Sequence, residues 1–422
     1  MKRICLILLC VLIPLTIYSA SINKDLIDVR DDLFDSEKEL EKFQFKTTLT
    51  KAEEQYYDEV DIYLLTGGPG SLVWENFGHS AFVVKLPDRP YIAFDYGIFS
   101  FGKGFYKNFA LGRLYYSVMV SYAEYRDLSL KSDDRSVSYL PLTLSALEKC
   151  NLLEFLEYNT QDKNSTYLYN YYLDNCATRL RDSYSAVTNG DFEAWAKAQV
   201  AEESLRTYSK RYLSRSSLPV AWAINYLLGP SVDKPISRWE AMFLPDELEA
   251  ALEDYQENEA YVEYVSETRK ETPKTYNFFL YSILFALILT LPILLTKTSR
   301  RWIRIIGDLL SALIYIVLAV MALVLLFLMC ASIHDVTYLN ENILILSPIL
   351  LVFGIMHIAA LGKKKKRKGL RILSKILLIF TFLIFFLKIS FMSVLIQENL
   401  EYYILALLLY SAELLPEHIR RN

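Results

Sequence analysis

Cysteine and histidine, on which most metal sites and all thiol chemistry depend, are scarce in this chain of 422 residues. Its five cysteines lie at positions 5, 10, 150, 176 and 330, and no two of them form a CxxC pair or a spacing typical of metal ligands. We therefore expect no zinc site, no other metal and no cofactor. The motifs GxSxG and HExxH are also missing, so serine-hydrolase and zincin interpretations have no support.

Charged residues are also few, at 22% of the chain, whereas hydrophobic residues make up 53%. This composition is too apolar for an ordinary soluble globular protein. The 49 acidic and 45 basic residues give a formal charge of −4. Because nucleic-acid-binding proteins usually carry a basic domain, we expect no nucleic-acid partner.

Long apolar runs dominate the second half of the chain. They cover about 276–296, 309–333, 342–361 and 372–392, with a shorter run near 401–415. A helix needs about 20 apolar residues to cross a hydrocarbon core of about 30 Å. The first four runs therefore predict membrane spans and the fifth is of marginal length, which gives a helical membrane domain of about five spans.

Basic residues predict the orientation of these spans. The loops KTSRRWIR at 297–304 and GKKKKRKGLR at 362–371 are expected in the cytoplasm, since lysine and arginine favour that side. Residues 1–20 have a basic start, an apolar run and a small-residue end, which is typical of a secretory signal; an uncleaved anchor is the alternative. Both features place residues 21–275 outside the cytoplasm.

The domain organisation that we predict has four parts: a signal peptide at 1–20, a helical lead-in at 21–59, an extracytoplasmic domain at 60–275 and a transmembrane domain at 276–422. In the third part, runs rich in Val, Ile, Tyr and Phe predict strands at 61–68, 79–86, 91–97, 114–123 and 136–142. Helices are predicted at 142–160 and 176–187. This mixture indicates an α+β fold rather than a parallel doubly wound sheet.

The extracytoplasmic part has one histidine, His79, so a histidine that activates a nucleophile there must be this one. Two thiols compete to be its partner. Cys150 lies within an amphipathic helix and resembles a packed core residue. Cys176 follows Asp174 and Asn175, which are good N-cap residues, and is expected in the first turn of a helix. Unpaired N–H groups and the helix dipole favour a thiolate there, and the same groups can stabilise an oxyanion.

A pair of Cys176 and His79 predicts acyl transfer through a covalent thioester. A third group usually orients the histidine, and Asp95 and Tyr96 on the next strand are both candidates. However, a thiol at a helix start is commonly inert, and Cys176 could instead form a disulfide with Cys150 in an oxidising compartment. The residues alone leave these alternatives open.

Five segments carry a resemblance to a known family. In chain order they are LLTGGPGSLVWENFGHSAFVV, AFDYGIFSF, KNFALGRLYYSV, DRSVSYLPLT and YLYNYYLDNCATRLRD. They resemble the Lnb N-terminal periplasmic domain, which is associated with lipoprotein N-acylation, and WEAMFLP at 239–245 and the membrane segments with the loop HDVTYLNEN agree. The domain is also similar to permuted papain/NlpC-like and lecithin-retinol-acyltransferase-like thiol folds, in which a histidine precedes an Asn-Cys pair at a helix start.

Residue by residue, this resemblance implies that Cys176 is the nucleophile and His79 the base, while Asp95 and Tyr96 remain the two candidates for the third catalytic group. The residues assigned to substrate binding are Asn175, Arg179, His334 and Asn340. Arg179 and Asp182 match an Arg and an Asp of the motif, for which a structural ion pair is the alternative. The chain also departs from its relatives, which often have cysteine at the position of Gly67 and an amide at that of Asp95.

The implied function is that of a lipoprotein N-acyltransferase of the bacterial inner membrane, with residues 21–275 in the periplasm. Cys176 would take an acyl chain from a phospholipid donor and pass it to the α-amine of a diacylglyceryl-cysteine lipoprotein, the acceptor. One alternative is an NlpC-like cell-wall peptidase or amidase with the same thiol chemistry. Another is a non-enzymatic lipid-binding envelope sensor or assembly protein, in which His357 of the third span would mark an ion path.

Overall fold

A computed structural model of the protein describes residues 40, 42–269, 272–363, 367–390 and 395–416. The predicted signal peptide and residues 21–39 of the predicted lead-in lie outside these ranges. Contacts divide the described chain into two units. The sheet unit contains the residues up to Arg215 and Pro235–Lys274, and the helical unit contains Ser216–Lys234 and the residues from Thr275 onward. The division at residue 275 stays a prediction, and the contacts add Ser216–Lys234 to the helical unit.

The described strands of the sheet unit form one antiparallel sheet. They are β1 (Asp61–Gly67), β2 (His79–Lys85), β3 (Ile92–Ile98), β4 (Tyr115–Tyr122), β5 (Val137–Pro141), β6 (Thr166–Leu168) and β7 (Tyr261–Tyr264). Their order across the sheet is β6-β4-β3-β2-β1-β5-β7, and every neighbouring pair is antiparallel. The predicted mixture of helices with a sheet that is not parallel is confirmed, and the five predicted strands correspond to β1–β5.

The sheet unit also contains helices that cover parts of the sheet. They are α1 (Lys51–Asp58), α2 (Phe105–Leu111), α3 (Ala123–Ser132), α4 (Ala146–Asn159), α5 (Cys176–Val187), α6 (Asp191–Lys197), α7 (Leu205–Leu213), α9 (Arg238–Ala241) and α10 (Pro245–Gln256). The predicted helices at 142–160 and 176–187 correspond to α4 and α5. Of these, α5 packs against β2 and β3, and α10 packs against β1.

Two apolar clusters lie on opposite faces of the sheet, because successive side chains of a strand alternate between its faces. The larger cluster contains Phe82 and Phe94 and packs with α4, α5 and α10. The smaller cluster contains Val83 and Ala93 and packs with Ala123 and Leu130 of α3. Each odd-numbered residue of β2 or β3 near these positions therefore faces α3, and each even-numbered one faces the larger core.

The helical unit contains α8 (Leu218–Leu227), α11 (Phe278–Leu295), α12 (Arg301–Ala331), α13 (Asn342–Ile345), α14 (Leu350–Ala360), α15 (Lys368–Ser390) and α16 (Leu400–Leu414). Within the described residues, four segments are long and apolar enough to cross a membrane: α11, α12, α15 and the segment Asn342–Ala360, which holds α13 and α14. These are the four spans predicted with full length. The fifth, α16, has 15 residues, which is roughly 22 Å, and packs against α11 and α15.

Buried ionisable side chains connect several helices of this unit. His357 of α14 lies 3.0 Å from Asp308 of α12 through Nδ1 and 2.7 Å from Glu413 of α16 through Nε2. Arg367 donates to both oxygens of Asp308, at 2.8 and 2.7 Å. The sequence shows no partner for His357, whereas the structure places a carboxylate at each of its ring nitrogens. Paired charges of this kind join helices in an apolar surrounding.

Candidate active site

Asn175 sets the point at which α5 begins. Its side-chain oxygen accepts hydrogen bonds from the N–H groups of Ala177, at 2.8 Å, and Thr178, at 2.9 Å. Its side-chain nitrogen donates to two backbone carbonyls, one of them that of Phe243 at 2.8 Å. This is the bonding of an N-cap residue, and it makes Cys176 the first residue of the helix, as predicted. Since both ends of the amide are occupied, the role that these contacts support for Asn175 is to position the thiol.

The packing of α5 on the sheet brings Cys176 to His79, the first residue of β2. The thiol and the imidazole form a hydrogen bond. The other side of the ring is occupied, because His79 Nε2 lies 2.5 Å from Oδ1 of Asp95 on β3. This contact leaves Nδ1 to face the sulfur. The three side chains therefore form a continuous chain from thiol to imidazole to carboxylate.

Asp95 is fully buried and has a second partner. Its Oδ2 contacts the guanidinium of Arg126, which lies on α3. Tyr96 follows Asp95 in the strand and therefore points to the opposite face, where it belongs to the larger core and lies near the ring of Tyr167. Of the two residues proposed as the third group, the structure brings Asp95 to the imidazole and turns Tyr96 away from it.

A bulge in β3 leaves room beside the thiol. The pairing of β3 with β4 shifts between Asp95 and Ile98, and Gly97 in this interval has a φ of 88°. Side chains other than glycine are strained at such a φ. A Cβ at this position would also lie 3.6 Å from the Cβ of Cys176. Glycine therefore allows the bulge to form and keeps the approach to the sulfur open.

The environment of Cys176 favours the thiolate. Burial raises the pKa of this thiol, but the positive charge of His79 and hydrogen bonds from His79 and from the N–H groups of Ser80 and Ala177 lower it by more. The net effect is a pKa of Cys176 below the ordinary thiol value. Both N–H donors are backbone groups, so they stay in place when the charge on the sulfur moves.

The pKa of His79 is also shifted from its ordinary value. Burial lowers the pKa of the imidazole, and the charges of Arg126 and Arg135 lower it too, whereas Cys176 raises it. The net direction is downward, so the ring is available to accept a proton near neutral pH. A thiolate beside an imidazole that can take up and return a proton has the properties of a nucleophile with its general base.

The thiol and the imidazole face a cleft of about 660 Å³, its open mouth included. Seven of the fifteen residues that line it are aromatic, and they are Trp74, Phe77, Phe99, Tyr116, Tyr169, Tyr171 and Phe243. Tyr116 stacks on Tyr169 with 4.2 Å between ring centroids and on Phe99 with 4.8 Å. Phe99 in turn contacts Phe101, which is exposed at the surface. The cleft therefore offers an apolar wall that continues from the sulfur to solvent.

Arg179, assigned above to substrate binding, has its hydrogen bonds within the fold. It donates to the two carboxylate oxygens of Asp174, at 2.5 and 2.9 Å, and its guanidinium lies 3.8 Å from the centroid of the Tyr167 ring. The other charged residue of the motif, Asp182, pairs with Arg181 at 2.8 Å. These contacts support the structural alternative for both residues, since Asp174 and Arg179 together fix the segment that carries Cys176.

His334 and Asn340 belong to the helical unit. Asn340 is buried, donates to the carbonyl of Tyr226 at 3.0 Å and accepts from the N–H of Asn342 at 2.9 Å. The backbone N–H of His334 donates to Ser332 Oγ at 3.3 Å. The predicted binding of a lipid headgroup by these two residues stays a prediction.

Arg126 and Arg135 were not predicted as site residues from the sequence. Arg126 lies on α3, a helix that was not predicted and that follows β4 without a loop, so no sequence signal pointed to it. Arg135 lies within DRSVSYLPLT, one of the segments that carry the resemblance, and this was the signal available for it. Both arginines influence the pKa of His79.

Cys150 and Cys176 are both free thiols, so the disulfide proposed as an alternative is absent from the described structure. Burial raises the pKa of Cys150, and the hydrogen bonds from Tyr57 and Lys46 offset this only in part. The pKa values of the two thiols are therefore displaced in opposite directions, which makes Cys150 an internal reference for the reactivity of Cys176.

We expect iodoacetamide to alkylate Cys176 faster than Cys150 at pH 7 in the folded full-length protein. The rate for Cys176 rises with pH as the thiol ionises, and its midpoint should lie below the ordinary value of about 8.5, whereas that of Cys150 should lie above it. Peptide mass spectrometry after timed alkylation at several pH values measures both rates. Equal midpoints for the two thiols would contradict the electrostatics described above.

Replacing Asp95 by asparagine should raise the pKa of Cys176. The substitution removes the charge that stabilises the imidazolium, and a less stable imidazolium stabilises the thiolate less. We expect the alkylation rate of Cys176 at pH 7 to fall by up to about tenfold, which corresponds to one pKa unit. Asp61→Asn, at an exposed position of β1, is the matched control and should leave the rate unchanged. An unchanged rate in Asp95→Asn would show that an uncharged amide at position 95 supports the thiolate as well as the carboxylate does.

Comparison with known families identifies both halves of the chain. The Lnb N-terminal periplasmic domain matches residues 50–212, and the Lnb transmembrane domain matches residues 271–413. No match is found among curated proteins or among solved structures. The two matched regions follow one another as the motifs and the apolar runs predict, and the resemblance drawn from the sequence is confirmed. The chain therefore belongs to the Lnb family, as a membrane protein with a periplasmic N-terminal domain.

Proposed function

We propose that this protein is a lipoprotein N-acyltransferase of the bacterial inner membrane that works through a thioester on Cys176. Membership of a family named after lipoprotein N-acylation supports an acyltransferase. The observation that carries the proposal is the chain of hydrogen bonds from Cys176 through His79 to Asp95, which opens on an aromatic cleft. This arrangement supplies a nucleophile, a base and space for an acyl chain in one place.

In the first half-reaction, the thiolate of Cys176 attacks an ester carbonyl of a phospholipid. A C–S bond forms and the ester C–O bond breaks, so that the acyl chain becomes a thioester and the glycerol oxygen leaves. His79, as the imidazolium, gives its proton to that oxygen, and a lysophospholipid departs. The N–H groups of Ser80 and Ala177, which hydrogen-bond the sulfur, are donors beside the carbon where negative charge develops.

In the second half-reaction, the α-amine of a diacylglyceryl-cysteine lipoprotein attacks the thioester. A C–N bond forms, the C–S bond breaks and Cys176 returns to the thiolate, while His79 accepts a proton from the amine. Asp95 holds the ring and stabilises its charged form, and Arg126 holds Asp95. In this scheme Asp95 and Arg126 are positioning residues, because they act through His79.

The fold supports a relation to permuted papain/NlpC-like thiol enzymes. His79 begins a strand of an antiparallel sheet and precedes Cys176, which begins a helix packed on the same strand. We propose that the periplasmic domain has this permuted arrangement, that it extends over residues 21–275 after removal of the signal peptide, and that the remainder serves as the membrane domain.

The lining of the cleft favours a lipid substrate over a cell-wall peptide. An NlpC-like peptidase or amidase would share the thiol and the imidazole, but its substrate is polar and needs matching polar groups along the cleft. The aromatic walls formed by Phe99, Tyr116 and Tyr169 suit an acyl chain instead. A sensor without catalysis would have no need of a thiol whose pKa is lowered by an adjacent imidazole.

We expect the full-length protein in detergent to convert a synthetic diacylated lipopeptide to its N-acylated form when phospholipid is present. Cys176→Ala should lower the rate by at least about a thousandfold, because it removes the nucleophile. Cys150→Ala, the matched control, should retain the activity, since Cys150 is distinct from the hydrogen-bonded chain of the site. Mass spectrometry of the lipopeptide measures the product, and the Cys176 peptide should carry one acyl group when the acceptor is omitted.

Three outcomes would contradict this function. Turnover that persists in Cys176→Ala would exclude a mechanism through a thioester on Cys176. Cleavage of a muropeptide in place of acyl transfer would favour the peptidase or amidase. Tight phospholipid binding without acylation of Cys176 would favour a lipid sensor.

A further inference from the structure

Arg135 is a buried cation at the active-site cleft that the mechanism above does not use. It lies in the turn between α3 and β5 and is 8% exposed. Its side chain lines the same cleft as Cys176 and His79. Burial lowers the pKa of Arg135, and the charge of Cys176 is among those that oppose this effect.

The guanidinium of Arg135 is only partly satisfied by the fold. Its Nε donates to the carbonyl of Gly68 at 2.7 Å, which anchors the base of the group. Its Nη2 is buried and has no hydrogen-bond partner among the described residues. The carboxylates of Glu75 and Asp133 act on Arg135 from a distance, but neither forms an ion pair with it within the described chain.

Two other arginines of the sheet unit provide a comparison. Arg126 contacts the carboxylate of Asp95, and Arg179 makes two hydrogen bonds to Asp174. A buried charge without such a partner is costly, because the protein interior does not replace the water it loses. An anionic ligand in the cleft would therefore be stabilised by the terminal nitrogen of Arg135 that lacks a hydrogen-bond partner among the described residues.

The shape of the guanidinium indicates which class of anion it would bind. Its planar pair of terminal N–H groups matches the oxygens of a phosphate, to which arginine often binds with two hydrogen bonds. In a glycerophospholipid, only a three-carbon glycerol unit separates the phosphate from the acyl esters. A donor bound with its phosphate at Arg135 can thus present an ester carbonyl to Cys176 within the same cleft.

We propose that Arg135 binds the phosphodiester of the glycerophospholipid that donates the acyl chain. This inference rests on the proposed function and names the substrate group that the cleft selects. The acceptor is a diacylglyceryl-cysteine, which has no phosphate, so Arg135 acts in the first half-reaction and not in the second. Arg135 is in this way a donor-selecting residue, and it distinguishes a phospholipid from other acyl esters of the membrane.

The test compares two donors with the same acyl chains, dioleoylphosphatidylglycerol and dioleoylglycerol, in the full-length protein in detergent. Arg135→Gln should raise KM for the phospholipid by about 10- to 100-fold, the usual effect of losing charged hydrogen bonds. It should change kcat little, and the slower turnover of dioleoylglycerol should stay within about twofold of wild type. Arg135→Lys, which keeps the charge but loses the planar pair of donors, should restore part of the affinity.

Arg113→Gln is the matched control, because Arg113 is an exposed arginine of the same unit. It should leave the turnover of both donors unchanged. Inorganic phosphate carries the anion without acyl chains and is expected to compete weakly with the phospholipid. Tight competition by inorganic phosphate would instead assign the site to free phosphate and overturn the proposal.

A fall in kcat with both donors would place Arg135 at the reacting carbonyl and overturn the proposal, as would an unchanged KM for the phospholipid. A second readout does not depend on turnover: the phospholipid should protect Cys176 from iodoacetamide in the wild type and about tenfold less well in Arg135→Gln. Normal alkylation of the variant without lipid shows that it is folded. If the wild type binds phospholipid but transfers nothing, the proposed function fails while the assignment of Arg135 stands.

Discussion

The contact on which the site depends is that of the first turn of α5 with strands β2 and β3. Asn175 begins the helix and bonds to the carbonyl of Phe243, so the position of the sulfur is fixed from two directions. The strand pairing fixes His79 and Asp95 on the face that α3 covers. Because the thiol, the imidazole and the carboxylate come from three separate elements, their alignment requires the whole sheet unit to be folded. A change in the packing of α5 would therefore alter the thiol chemistry before it altered the fold.

The electrostatics of the cleft depend on two arginines, Arg126 and Arg135. Both act on His79, and Arg126 also contacts the buried carboxylate of Asp95. Burial lowers the pKa of His79, and the positive charges of Arg126 and Arg135 lower it further. In the proposed function, the buried Nη2 of Arg135, which has no hydrogen-bond partner among the described residues, would recruit an anionic lipid to the cleft.

Much of this arrangement could be predicted from sequence, and the exceptions have physical causes. The start of α5 was predictable because Asn175 has a side chain that caps helices, and β1–β5 were predictable because their apolar residues form clear runs. β6 and β7 have only three and four residues and are the two edge strands of the sheet. Tertiary contacts therefore determine them more than their own sequence does. The choice between Asp95 and Tyr96 as the third group depends on which face of β3 each side chain occupies. The pairing of the strands sets that face. Arg126 depended on an unpredicted helix.

The helical unit bears on the choice between an enzyme and an ion-conducting sensor. An isolated histidine in a span would suit an ion path, because ionisable groups in spans often mark one. His357 instead lies between Asp308 and Glu413, and Asp308 also pairs with Arg367. A histidine held by two carboxylates on two other helices is a connection between helices, and breaking it would leave charges buried without partners. The chemistry that distinguishes this chain therefore resides in the thiol site, and the spans anchor the periplasmic domain that carries it to the membrane.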